Sequence, residues 1–133
     1  MEFLSQYEIL FKKAKTDLKV SKNIFEDFEN GDDVLDLEVV MFHLQQSTEK
    51  LLKSILAFNK QHFIKTHDIK SLIYACNKNN IKLINDIDTL IPLTDFAVEG
   101  RYAIICDDLD DVQKYIEILD KLIKMVGNNI NAS

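Results

Sequence analysis

The chain reads as all-α, an up-and-down antiparallel bundle of four to five helices. Apolar residues recur at three- and four-residue spacing over long stretches, and no segment alternates with a period of two over a useful length. Only three Gly and one Pro punctuate 133 residues, which suits a few long helices rather than many short elements. The length is that of one domain able to bury its own core. Residues 1–127 are therefore read as a single helical domain and 128–133 as a frayed C-terminal tail.

Helix one is predicted over about Phe3 to Phe28. Phe3, Tyr7, Leu10, Ala14, Leu18, Ser21, Phe25 and Phe28 share one face, and Glu29-Asn30-Gly31 ends it. Helix two is predicted over about Val34 to Asn59, with Asp32 or Asp33 as cap. Its broad apolar arc is Leu37, Val40, Met41, Leu44, Thr48, Leu51, Leu52, Ile55 and Phe58. Phe42, His43, Gln46, Glu49, Lys50 and Lys53 gather opposite that arc, with Leu56 on or beside them.

Helix three is predicted to follow Thr66 as N-cap, with His67 and Asp68 in its first turn and Asn77 to Asn80 as its stop. A fourth helical region is expected from about Lys82 to Tyr102, kinked or split by Pro92. The last helix opens on Asp107, Asp108, Asp110 and Asp111, where the dipole favours negative charge. It carries the stripe Val112, Tyr115, Ile116, Leu119, Leu122, Ile123 and Val126, with Gly127 as its stop.

A net charge of −6 argues against non-specific DNA or RNA binding, which needs a basic field. No uncharged apolar run approaches the roughly 20 residues needed to span a bilayer, and the opening MEFLSQYEIL has no secretory pattern. The expectation is a cytoplasmic protein with reduced Cys76 and Cys106 and no membrane contact. His43, His62 and His67 lack zinc spacing, so no metal is expected. Motifs for a serine nucleophile, a phosphate-cradling loop, a dinucleotide fold or a metalloprotease are absent, and no cofactor is implied.

Three groups of residues have functional and structural readings side by side. Gln46, Lys50 and Lys53 lie one turn apart and can converge on a phosphate or base; equally, the face is solvated, with Glu49 and Lys53 as an i,i+4 pair. Phe42 and Leu56 beside that polar face suggest that it meets another helix or a second copy, making Phe42, His43, Glu49 and Leu56 a candidate dimer interface. His67 stands beside a helix N-terminus that favours anions, or is an ordinary first-turn residue. Arg101-Tyr102 reads as a phosphate clamp with a stacking ring, or as an Arg paired with a nearby carboxylate.

The order Phe42-His43-x-Gln45-Gln46-x-x-Glu49-Lys50-x-x-Lys53, then Thr66-His67-Asp68, then Glu99-x-Arg101-Tyr102 resembles the HEPN family, the higher eukaryotes and prokaryotes nucleotide-binding domains. Ala14-x-x-Asp17-Leu18 is similar to that family's opening, so the resemblance spans nearly the whole chain. It implies a helical bundle, a homodimer, and a prokaryotic protein paired with a minimal nucleotidyltransferase in a toxin–antitoxin-like system. On this reading Gln46, Lys50, Lys53, His67, Arg101 and Tyr102 contact a nucleotide ligand. Some HEPN proteins are RNases in which an Arg is followed a few residues later by a His. Here no His follows Arg101, and Cys106 stands at the first such position. The resemblance therefore implies a non-catalytic binding module. An RNA-cleaving toxin with altered residues and a purely structural dimer are the alternatives.

Overall fold

The computed structural model describes residues 5–31, 37–62, 65–97 and 109–131, with the side chains of Phe28, Leu109 and Asp110 excepted. The predictions placed on Phe3, Asp32, Asp33, Val34, Arg101, Tyr102, Cys106, Asp107 and Asp108 lie outside the described residues, as do Glu99 and Gly100. Helix α1 runs Gln6–Glu29, α2 Leu37–Phe58, α3 Ile69–Lys78 and α4 Leu109–Asn131, with a 3-10 helix, Ile87–Phe96, between α3 and α4. Among the described residues there is no strand, and the all-α bundle is as the sequence predicts.

Helix α2 is the axis of the molecule. It packs on α1, α3, the 3-10 helix and α4, whereas α1 and α3 do not pack on each other. That centrality explains why α2 is buried almost all round. Leu44, Leu51, Leu52, Ile55 and Leu56 are fully inside, and so are Gln45, Ser47, Thr48 and Ser54.

The α1–α2 hairpin is held by three hydroxyl bonds spaced seven residues apart on each helix. Ser54 Oγ donates to the Tyr7 carbonyl at 2.8 Å, Ser47 to the Ala14 carbonyl at 2.8 Å, and Ser21 to the Val40 carbonyl at 3.0 Å. Ala14 and the three serines are small, so the backbones approach closely enough for side chain to reach main chain. A seven-residue repeat is the period at which two long helices keep one seam in contact.

Each of the first three helices ends on a residue in the left-handed region: Gly31 at φ 100°, Lys60 at φ 58° and Asn80 at φ 60°. After α2, Gln61 N–H donates to the Leu56 carbonyl and Lys60 N–H to that of Ala57. After α3, Ile81 and Asn80 do the same to Cys76 and Asn77. These are paired Schellman bonds that satisfy the last carbonyls. The stop predicted at Asn77 to Asn80 is thus realised through Asn80.

Three expectations change. The N-cap of α3 is Asp68, not Thr66, so His67 precedes the helix instead of sitting in its first turn. Thr66 Oγ1 accepts the Asp68 N–H at 3.0 Å, while the first helical N–H, that of Ile69, is met by Thr94 Oγ1 at 3.1 Å.

The region around Pro92 is a 3-10 helix, not a kinked α-helix. Its buried residues, Ile87, Leu90, Leu93 and Phe96, recur every third position, which is the three-per-turn period of that helix. Pro92 lacks an N–H and would meet the carbonyl four residues back in an α-helix.

Finally, α4 continues through Gly127 to Asn131. Gly127 is not a stop: a Cβ there would stand 3.1 Å from Cζ of Phe11, so the glycine marks a close approach of α4 to α1.

Candidate functional site

The polar residues of α2 form a cluster with α1 and the segment leading into α3. It has two carboxylates at its base, both nearly buried: Asp17 is 9% and Glu49 5% exposed. A buried carboxylate needs partners, and each has two. Asp17 Oδ2 accepts from Lys50 Nζ at 2.5 Å, and Oδ1 lies 3.0 Å from His43 Nδ1. Glu49 Oε1 lies 2.5 Å from His67 Nδ1, and Oε2 is 3.7 Å from Lys53 Nζ. Since a carboxylate only accepts, the proton in each histidine contact sits on Nδ1, which leaves Nε2 to other partners.

An amide pair joins the cluster to the chain before α3. Gln46 Nε2 donates to Gln45 Oε1 at 2.7 Å, and Gln45 Nε2 reaches the His67 carbonyl at 3.4 Å. Gln45 is fully buried, so its amide has been traded from water to protein. The side chain of His67 is 67% exposed while its carboxylate partner is inside, so the ring is fixed at one nitrogen and open at the other.

The structure therefore brings Gln46, Glu49, Lys50, Lys53, His43 and His67 into one neighbourhood. The i,i+4 pairing of Glu49 with Lys53 is present, but the face is not solvated: it packs on α1 and on the approach to α3. Two of the expected interface positions lie inside the monomer. Leu56 is fully buried among its own chain's residues, and Glu49 is buried and paired internally. Burial within the monomer leaves neither side chain available as a contact for a second copy. Phe42 is half-buried and meets His43 edge-on, with centroids 5.3 Å apart.

Asp17, the anchor of the cluster, was visible in the sequence only as part of Ala14-x-x-Asp17-Leu18. Its signal is position: it lies three residues past Ala14, a small residue on the face that meets α2. Gln45 carries a comparable signal, an amide between the core residues Leu44 and Thr48.

Cys76 lies on the buried face of α3, where burial pushes its thiol up to about 12. A thiol held neutral in this way is a packing group and not a nucleophile. Among the described residues no group of three or more His, Cys, Asp or Glu is arranged to hold a metal ion. No helix among them is long and apolar enough to cross a membrane.

An all-helical bundle with buried carboxylates, histidines and lysines clustered around its central helix is the class that fold and site define together. The HEPN domain model matches residues 7–129, and the chain belongs to the HEPN domain family. Among solved structures, the crystal structure of an archaeal HEPN homologue is similar in fold, with a TM-score of 0.65 at 19% identity. The match covers 96% of this chain and 99% of that one. No curated protein matches the chain.

Proposed function

We propose that this HEPN domain is a non-catalytic binding module that takes a nucleotide and works beside a minimal nucleotidyltransferase in a prokaryotic toxin–antitoxin-like pair. The observation that carries the reading is the α2 cluster. Its buried carboxylates hold a partly exposed Lys50 and an exposed His67 in fixed positions, so these donors lose little freedom when an anion arrives. Asp17 takes one of the three N–H donors of Lys50. Arg101 and Tyr102, which lack the following histidine of RNase relatives, supply a further cation and ring.

Calorimetric titration with ATP, with and without Mg²⁺, tests this. Saturable binding weakened by Lys50→Ala or Arg101→Ala is expected, with the helical circular dichroism unchanged. Equal heats from wild type and both variants would reject these contacts. The homodimer expected of the family is proposed to form around Phe42, and Phe42→Glu should then give a monomer in size-exclusion chromatography with light scattering.

One observation favours a second reading, RNA cleavage with substituted residues. His67 is oriented through Nδ1 by a buried carboxylate and presents Nε2 outward, the arrangement of a general base. Arrest of growth on induced expression, relieved by His67→Ala and by Arg101→Ala, would support it; unimpaired growth with intact cellular RNA would remove it.

A further inference from the structure

The outer face of α3 was absorbed by neither reading. Its inner face is Ile69, Leu72, Ile73 and Cys76, all buried. On the outside, Lys70, Tyr74 and Lys78 recur at i, i+4 and i+8 and form one stripe, each exposed. Tyr74 is 68% exposed, and among the described residues only Ile9 joins it as a large exposed hydrophobic. An exposed tyrosine is ordinary by itself. This one is set apart by its surroundings.

The stripe lines an open cavity of about 900 Å³, near the upper end of the size range of small-ligand sites. Its walls come from both helix ends described above. Gln61 closes the Schellman turn of α2, Asn79 caps α3, and His62 follows Gln61. Backbone hydrogen bonds fix Gln61 and Asn79 in these walls.

The charge of the cavity runs against that of the chain. A protein of net charge −6 places Lys70 and Lys78 around one ring, with Asp68 as the one acid among the described residues of the lining. The Asp68 carboxylate already accepts from Ser71 Oγ at 2.6 Å. The two lysines stand one turn to either side of the ring and about 12 Å apart along the axis. An aromatic face between cations fits a planar, uncharged ring joined to an anionic group.

We propose that this cavity is a nucleotide site of its own, in which the base stacks on Tyr74 and the phosphates meet Lys70 or Lys78. The proposal rests on the nucleotide reading above and gives that reading a second, separately testable surface. A free nucleotide is the occupant, because the acidic field of the whole chain opposes a long polyanion. Thr66 and Asp68 line the cavity and flank His67 in the chain, so the groove begins where the α2 cluster ends.

The test is titration of the full chain with ATP in low salt without Mg²⁺. Tyr74→Ala should weaken binding by at least about fivefold, the low end of what one stacked base contributes, while Tyr74→Phe should stay within about twofold. Lys70→Ala combined with Lys78→Ala should weaken binding and flatten its salt dependence. Because all three side chains are exposed, unchanged thermal unfolding is expected and keeps the comparison clean. Inorganic triphosphate bound as tightly as ATP would overturn base stacking. Oligoadenylate bound more than about tenfold tighter than ATP, with the same dependence on Tyr74, would replace the free nucleotide by single-stranded nucleic acid. ATP binding unaffected by Tyr74→Ala but weakened by Lys50→Ala or Arg101→Ala would reject the α3 site and keep the reading it rests on. No saturable heat with wild type at millimolar ATP would reject both.

Discussion

Replacing Asp17 by Ala should destabilise the fold by about 2–3 kcal/mol. Breaking a buried ion pair from one side costs roughly 3–5 kcal/mol, because the remaining charge stays desolvated. Here the charge left behind is that of Lys50, whose side chain is 23% exposed. It can recover part of its hydration by extending to water, which brings the cost below that range. His43 also loses its acceptor, at 25% exposure. Lys50→Met is milder, about 1 kcal/mol, since Asp17 keeps the His43 contact. The double variant Asp17→Ala with Lys50→Met removes both charges and should be nearer wild type than Asp17→Ala alone. A coupling of about 2 kcal/mol between the two sites is expected. Urea unfolding followed by helical circular dichroism measures all of these. With a slope of about 2 kcal/mol per molar urea, Asp17→Ala should lower the midpoint by about 1–1.5 M. If Asp17→Ala falls within about 0.5 kcal/mol of wild type, or the two changes simply add, the cluster is not held by the pair and the reasoning fails.

Burial also predicts a pH dependence. The Cys76 thiol titrates near its ordinary value of 9.0 when the chain is unfolded and near 12 when folded, so between those values the unfolded state has released a proton that the folded state retains. Stability from this group is complete below about pH 9 and is lost as pH rises toward 12, with a limiting slope of about 1.4 kcal/mol per pH unit. Urea midpoints at pH 8 and pH 10.5 should therefore diverge more in wild type than in Cys76→Ala; parallel shifts would contradict the assignment. Thr94→Val removes the acceptor of the Ile69 N–H, an orphaned donor worth about 1–3 kcal/mol. It should speed hydrogen exchange at Ile69, and unchanged exchange there would show that water replaces the hydroxyl at no cost.

The helices were legible because their periodicity is local. Helix α1, predicted over Phe3 to Phe28, was found over Gln6–Glu29, and α2, predicted over Val34 to Asn59, over Leu37–Phe58. The 3-10 helix was legible too and was misread. Ile84, Ile87, Leu90, Leu93 and Phe96 fall at a strict interval of three, a pattern that fits helical spacing loosely and three residues per turn closely. Gly127 shows the opposite difficulty. A glycine near a helix end suggests a stop, and only the position of Phe11, more than a hundred residues earlier, explains it. The site was half legible for the same reason. Gln46, Lys50 and Lys53 cluster by their own spacing, but their partners Asp17 and His67 come from other elements. Phe42 and Leu56 beside the polar face of α2 signal that it is covered, but no local pattern names α1 and the approach to α3 as what covers it.

The three serine bonds of the α1–α2 hairpin have a consequence for register. Because they repeat every seven residues and end on backbone carbonyls, which every residue offers, sliding one helix by a whole heptad would bring most of the hydroxyls opposite new carbonyls. A slide of three or four residues would orphan them. The serines thus restrict the hairpin to a ladder of equivalent alignments without choosing among its rungs. Asp17 makes the choice, since only one rung sets its carboxylate against both Lys50 and His43. A single charged residue in an otherwise permissive seam is the means by which helical pairs commonly select one alignment. In this chain, the residue that anchors the surface cluster also tells the two longest neighbours in the sequence where to stop sliding.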